Sequence, residues 1–160
     1  MREYFLKLVA HEAWANQKLL AALVKETAVA QRARDTFAHI CSTPEYWLRR
    51  VQGEHIKEYQ WWPGFDAVEL SERIQNNERV WVDYLNSLPE PVEEFKADTI
   101  SQKGDSLTFR VVDILTQYHN HSCHHRGQIA VLFRAAGIDP VVTDYIVWTR
   151  TTDLKHKLIN

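Results

Sequence analysis

The sequence predicts an all-α fold: a four-helix bundle, with a short C-terminal helix and a small hairpin in the crossover before the last long helix. Two observations carry this. Apolar residues recur at helical spacing in four long stretches, and the five glycines and five prolines fall mostly where helices should stop. At 160 residues the chain favours one domain spanning 1–160. A chain of this size buries roughly 68–70% of its unfolded surface, so it needs neither disulfide nor metal to fold.

The first helix spans Arg2 to Glu26, where Phe5, Leu8, Val9, Leu19, Leu20 and Leu23 form one face without interruption by Gly or Pro. A polar linker over Ala28 to Arg34 leads to a second helix starting near Asp35 or Thr36. Phe37, Ile40, Trp47, Leu48 and Val51 give that helix its apolar face, and Gly53 stops it. Pro44 predicts a kink or break, because a mid-helix proline removes a hydrogen bond and crowds the carbonyl of Ile40. Glu54 to Phe65 reads as an irregular connection. A third helix follows Asp66 and ends near Leu88, before Pro89. Glu94-Phe95-Lys96 and Leu107-Thr108-Phe109 flank a Gln102-Lys103-Gly104-Asp105 turn signal, the pattern of a hairpin or extended crossover. The fourth helix runs from Val111 to Ala136 and closes at Gly137. Thr143-Asp144 then caps a terminal helix through Trp148. Two long connections permit crossovers, so the order of helices in the bundle stays open.

Composition excludes several functions. Net charge is −2 with acids and bases interspersed, and no Lys/Arg cluster offers a footprint for nucleic acid. Apolar runs are too short to span a bilayer. The start, MREYFLKL, carries no apolar signal segment, so the expected location is cytoplasmic. There the two distant cysteines, Cys41 and Cys123, stay reduced. Six tryptophans suggest a well-filled aromatic core or an apolar surface for a partner.

The chemistry concentrates in Gln117 to Gln128. His121 and His125 stand one helical turn apart, about 5–6 Å at Cβ, so both imidazoles can reach one ion. They lie on the stripe Ile114, Tyr118, His121, His125, Ile129 and Leu132, which reads as core-facing. Burial disfavours charged imidazoles and leaves their nitrogens in need of partners. A metal ion satisfies both demands, and a hydrogen-bonded core pair is the plainer alternative. Two imidazoles hold a metal poorly. His39 is the best third candidate, although it lies at the border of its helix's apolar face.

Phe37-Ala38-His39-Ile40, Trp14-Ala15-Asn16, His121-Ser122-Cys123-His124-His125-Arg126-Gly127-Gln128-Ile129 and the ending Arg134 to Pro140 with Asp144-Tyr145 together resemble the DinB/YfiT-like family over nearly the whole chain. The resemblance implies a four-helix bundle, a metal triad of His39, His121 and His125, and a homodimer. It departs at Pro44, where the family helix usually continues smoothly, and at Gln117, where many members carry another histidine.

Around the triad, Gln128 lies three residues after His125 and is a candidate to orient a ligand or substrate; a surface amide is its plain reading. Glu12 and Asn16 sit on an apolar stripe, an odd place for polar groups. They are candidates to support the metal, with Glu12 also a candidate base. Gly127 suits close packing, and Arg126 a dimer contact or surface salt bridge. His11, His55, His119, His124 and His156 read as surface or satisfied histidines. Cys41 and Cys123 turn about 200° from the adjacent ligands and read as small buried hydrophobes.

Three histidines leave an open coordination position, the mark of a catalytic site. The leading expectation is an enzyme using one divalent ion (Zn, Ni or Fe, with copper also suited to imidazole). The resemblance implies a thiol-dependent S-transferase that takes a low-molecular-weight thiol and a small-molecule substrate. Hydrolysis is the next reading, and a stress-related, non-catalytic metal-binding dimer module comes from a different class.

Overall fold

The computed structural model describes residues 1–64 and 66–159, with side chains described through residue 152. Phe65 in the expected irregular connection and the side chain of His156 lie outside the described residues. Among the described residues there are five helices: α1 (Arg2–Lys25), α2 (Gln31–Val51), α3 (Ala67–Ser87), α4 (Val111–Ala135) and α5 (Tyr145–Ile159). A 3-10 turn at Val92–Glu94 and an antiparallel hairpin, β1 (Lys96–Ile100) with β2 (Ser106–Arg110), lie between α3 and α4. The four long helices form the expected bundle, and the hairpin forms where the turn signal stands.

Boundaries follow from identifiable contacts. Asp66 caps α3 by accepting from the backbone of Val68 and Glu69, and Glu69 returns a bond to the Asp66 N–H, a complete capping box. Gly137, at φ 71°, ends α4 in the left-handed region that favours glycine. Two boundaries differ from expectation. Helix α2 begins at Gln31 rather than Asp35, because Val29 and Ala33 are buried and Arg34 bonds the carbonyls of Leu23, Glu26 and Val29. Those bonds tie the end of α1 to the start of α2 and shorten the linker. Helix α5 continues past Trp148 to Ile159, since no Gly or Pro follows Pro140 to stop it.

The expected break at Pro44 is absent: α2 runs through it as one helix. Side-chain donors converge on the carbonyls around the proline. Asn77 Nδ2 donates to Cys41 O (2.7 Å), Tyr59 Oη to Ser42 O (2.6 Å), and Trp81 Nε1 to Pro44 O (3.2 Å). Ser42 and Thr43 hydroxyls both donate to His39 O. Carbonyls on either side of Ile40, whose own helical donor the proline removes, are thus bonded from within α2, from α3 and from the following connection.

The helix order left open by the sequence is resolved by packing. Helix α1 packs mainly on α3, and α2 on α4, with α2–α3 and α1–α4 closing the ring. Two apolar clusters fill the interior. One joins Phe5, Leu48, Trp81, Leu85, Val111 and Tyr118; the other joins Leu19, Leu23, Phe37, Ile40, Ile129 and Phe133. Between them each helix contributes buried polar side chains: Glu12 and Asn16, His39 and Thr43, Asn77, Ser122 and Arg126. The candidate site lies at this polar level. Among the described residues, no helix is long and apolar enough to cross a membrane.

Candidate metal centre

Because α2 and α4 are neighbours, His39 faces His121 and His125. His121 Nε2 lies 3.1 Å from His39 Nε2 and 3.1 Å from His125 Nε2. All three residues offer a ligand atom within 4.8 Å of the others. An ion bonded tetrahedrally to imidazoles at 2.0–2.1 Å would hold its nitrogens about 3.3 Å apart, close to this spacing.

Hydrogen bonding fixes which nitrogens face inward. His39 Nδ1 donates to the carbonyl of Trp61 at 2.6 Å, and His125 Nδ1 donates to Gln128 Oε1 at 2.8 Å. Both partners are acceptors, so both Nδ1 atoms carry the proton and both neutral Nε2 atoms present lone pairs. The single nitrogen His121 Nε2 cannot donate to both, and its own Nδ1 is buried without a partner. A cation at the convergence point satisfies all three Nε2 atoms at once.

Protons compete poorly there. Burial pushes the His121 imidazole down to about 4, and the neighbouring His125, His39 and His124 charges push the same way. Burial also lowers His39, partly opposed by its bond to the Trp61 carbonyl. The neutral imidazoles that result are the form a metal uses. Burial is distributed differently from the sequence reading: His39 is buried, whereas His121 and His125 are half-buried. The core face of α4 lies one step further round, through Tyr118, Ser122, Arg126, Ile129 and Phe133.

The connection after α2 covers the site. Trp62 stacks on the His39 ring with centroids 4.4 Å apart and planes 19° apart, and the Arg32 guanidinium lies over the Trp62 ring, 4.8 Å from its centroid. Trp61 packs on Tyr46 and Tyr59, which hold its carbonyl at His39. Sequence reasoning leaves this segment as irregular connection. Its signal is the aromatic density of Tyr59, Trp61 and Trp62 in a stretch with no helical period.

A family model described as the DinB family matches residues 1–156. The chain belongs to the DinB family. No curated protein and no solved structure matches it significantly. A DinB-family chain with a three-histidine group, one histidine buried and two half-buried, fits a metal-binding protein.

The other site candidates of this DinB-family chain fall into two places. Gln128 stands behind His125, its amide nitrogen also 3.0 Å from His124 Nε2, so it orients the His125 ring. Glu12 lies in the interior with Asn16, away from the hydrogen bonds of the triad. His119 Nδ1 donates to Glu12 Oε1 at 2.7 Å, Arg126 donates to both Glu12 oxygens, and Arg126 Nη1 also reaches Asn16 Oδ1 at 3.4 Å. Burial would raise the Glu12 carboxyl, but the His119 and Arg126 bonds outweigh it and hold the group below its ordinary value. A carboxylate held ionised in this way is a weak base.

Arg126 is thus no surface or dimer residue. It is 6% exposed and balances a carboxylate that is 1% exposed. His119 belongs to this network, and His11 is buried beside it, with its Nε2 2.9 Å from Thr143 O. His11, Glu12 and His119 also bring ligand atoms within 4.8 Å of one another, but the Arg126 charge on that carboxylate opposes a second cation. Cys41 is buried as expected, whereas Cys123 is exposed. The missed signal is complementary: a carboxylate on the apolar stripe of α1, Glu12, requires a cation opposite, and Arg126 lies on the observed core face of α4.

Proposed function

We propose that the chain is a metal-dependent enzyme whose open site is built on His39, His121 and His125, and that it transfers a low-molecular-weight thiol to a small electrophilic substrate. The observation that carries this reading is the convergence of three imidazole nitrogens, two with their outward nitrogens tied to acceptors. A divalent ion held there supplies Lewis acidity and lowers the pKa of a thiol or water at its open position. His39 and His125 are held in the ligating tautomer by the Trp61 carbonyl and Gln128. Trp62, 44% exposed and stacked on His39, provides an apolar wall beside the site and limits water there. Thiol transfer rather than hydrolysis rests on family resemblance.

The reading takes the protein as a cytoplasmic homodimer. Dimerisation would cover apolar side chains such as Val131 and Ile146, which this chain leaves 61% and 68% exposed. The test is turnover of the metal-replete protein with small thiols and a panel of alkyl and epoxide electrophiles, beside ester and amide hydrolysis. Metal-dependent consumption of thiol, lost in His121→Ala, supports the reading. Hydrolysis without thiol consumption would replace it with the hydrolase reading, and metal binding without either activity would leave a non-catalytic module.

A further inference from the structure

Of the three triad imidazoles, His39 is the one whose orientation is set from outside the helices. His125 takes its acceptor from Gln128, one turn away on the same helix. His39 Nδ1 instead donates at 2.6 Å to the Trp61 carbonyl, 22 residues along the chain, in a connection whose described residues form neither helix nor strand. The next residue, Trp62, stacks on the same imidazole at 4.4 Å. Two consecutive residues thus grip one ring by its edge and its face.

A backbone carbonyl in a connection orients a side chain only where its own segment is fixed, and Tyr59 supplies the fixing. Tyr59 Oη donates to Ser42 O at 2.6 Å, one turn of α2 beyond His39, and the Tyr59 ring meets the Trp61 ring edge-on at 5.0 Å. Ser42 Oγ in turn donates to His39 O at 3.1 Å. These contacts close a circuit from Tyr59 to Ser42, to His39, to Trp61 and back to Tyr59. Neither Tyr59 nor Trp61 belongs to the two apolar clusters, so the interior of the bundle is filled without them.

We infer that Tyr59 is a positioning residue for the metal centre, and that ion binding is coupled to the docking of the strap formed by residues 59–62. This role rests on the reading of His39, His121 and His125 as ligands, and concerns what holds one of them. Without the Tyr59 hydroxyl the strap is tied to α2 at one point fewer, and the Trp61 carbonyl spends less time on His39 Nδ1. The imidazole is then less well held with its Nε2 toward the other two rings, and affinity for the ion falls. The coupling is reciprocal: an ion that draws on an oriented His39 holds the strap against α2 by the same factor.

The test uses the full chain freed of metal by a chelator, with zinc as the probe. Tyr59→Phe keeps the ring and removes only the hydroxyl. It should weaken zinc binding about fivefold in competition with a chromophoric chelator, the worth of one net hydrogen bond. Its metal-free urea midpoint should stay close to wild type, because the strap opens locally. Trypsin gives the second readout: Lys57 is exposed in the connection two residues before Tyr59, and Lys103 in the hairpin turn serves as internal reference. Zinc should slow cleavage after Lys57 by about threefold or more in the wild type, leave cleavage after Lys103 unchanged, and protect Lys57 less in Tyr59→Phe. A Tyr59→Phe variant that binds zinc as tightly as wild type would overturn the role of Tyr59 and leave the triad standing. So would a zinc-loaded wild type whose Lys57 is cut as fast as in the metal-free protein. A wild type that takes up no zinc would overturn the triad and the role of Tyr59 together. The wild-type trypsin comparison decides the coupling even if Tyr59→Phe fails to fold.

Discussion

At the scale of single residues, the site is a problem of where protons can go. His39 and His125 have committed their Nδ1 protons to Trp61 and Gln128, so the triad centre collects lone pairs. Replacing Gln128 by Leu removes the acceptor behind His125 and should weaken metal affinity about tenfold or more, read by competition with a chromophoric chelator. Acid should act on the metal-free protein through His121. Its imidazole is held at about 4 in the fold against an ordinary 6.5, so the unfolded chain takes up the proton first. This contribution to stability is fully present above pH 6.5 and is lost as pH falls toward 4. Urea melts of chelator-treated protein across that range should show midpoints declining with acid, and His121→Ala should flatten the decline. The His121–His125 pair is legible from spacing alone, because one helical turn aligns any two side chains. Their exposure is not, because the core face of α4 is decided by what α1 and α2 present to it.

At the scale of elements, caps and turns read directly. Asp66 with Glu69, the Gly104 turn and Gly137 each place a local preference where the chain needs it, and α3, the hairpin and the end of α4 follow. Asp66→Ala should therefore cost about 1 kcal/mol by denaturant melt, while leaving metal content unchanged. Pro44 shows where local reading stops. Its penalty within a helix is real, but Asn77, Tyr59 and Trp81 bring donors to the surrounding carbonyls from elements far away in sequence. The start of α2 is similar, since Arg34 reaches back to three carbonyls that no helical period reveals.

Across the whole molecule, the two apolar clusters are separated by a polar level to which all four long helices contribute, with the Glu12–Arg126 pair at its centre. Breaking a buried pair from one side strands the other charge. Arg126→Leu alone should destabilise the fold by about 3–5 kcal/mol, and adding Glu12→Leu should restore much of that loss. Urea melts of the single and double variants check this; a double variant no more stable than Arg126→Leu alone would contradict it. The bundle itself is legible in four apolar periods, yet its neighbours are not, because long connections leave the ring order to side-chain fit. These scales meet where α2 and α4 are brought together so that three imidazoles can hold one ion. Elemental analysis of untagged protein tests it most directly, comparing wild type with His39→Ala and His125→Ala after a folding check. About one ion per chain is expected in the wild type and little in either variant. A folded wild-type protein that takes up no Zn, Ni or Fe, or variants that keep a full ion, would contradict it.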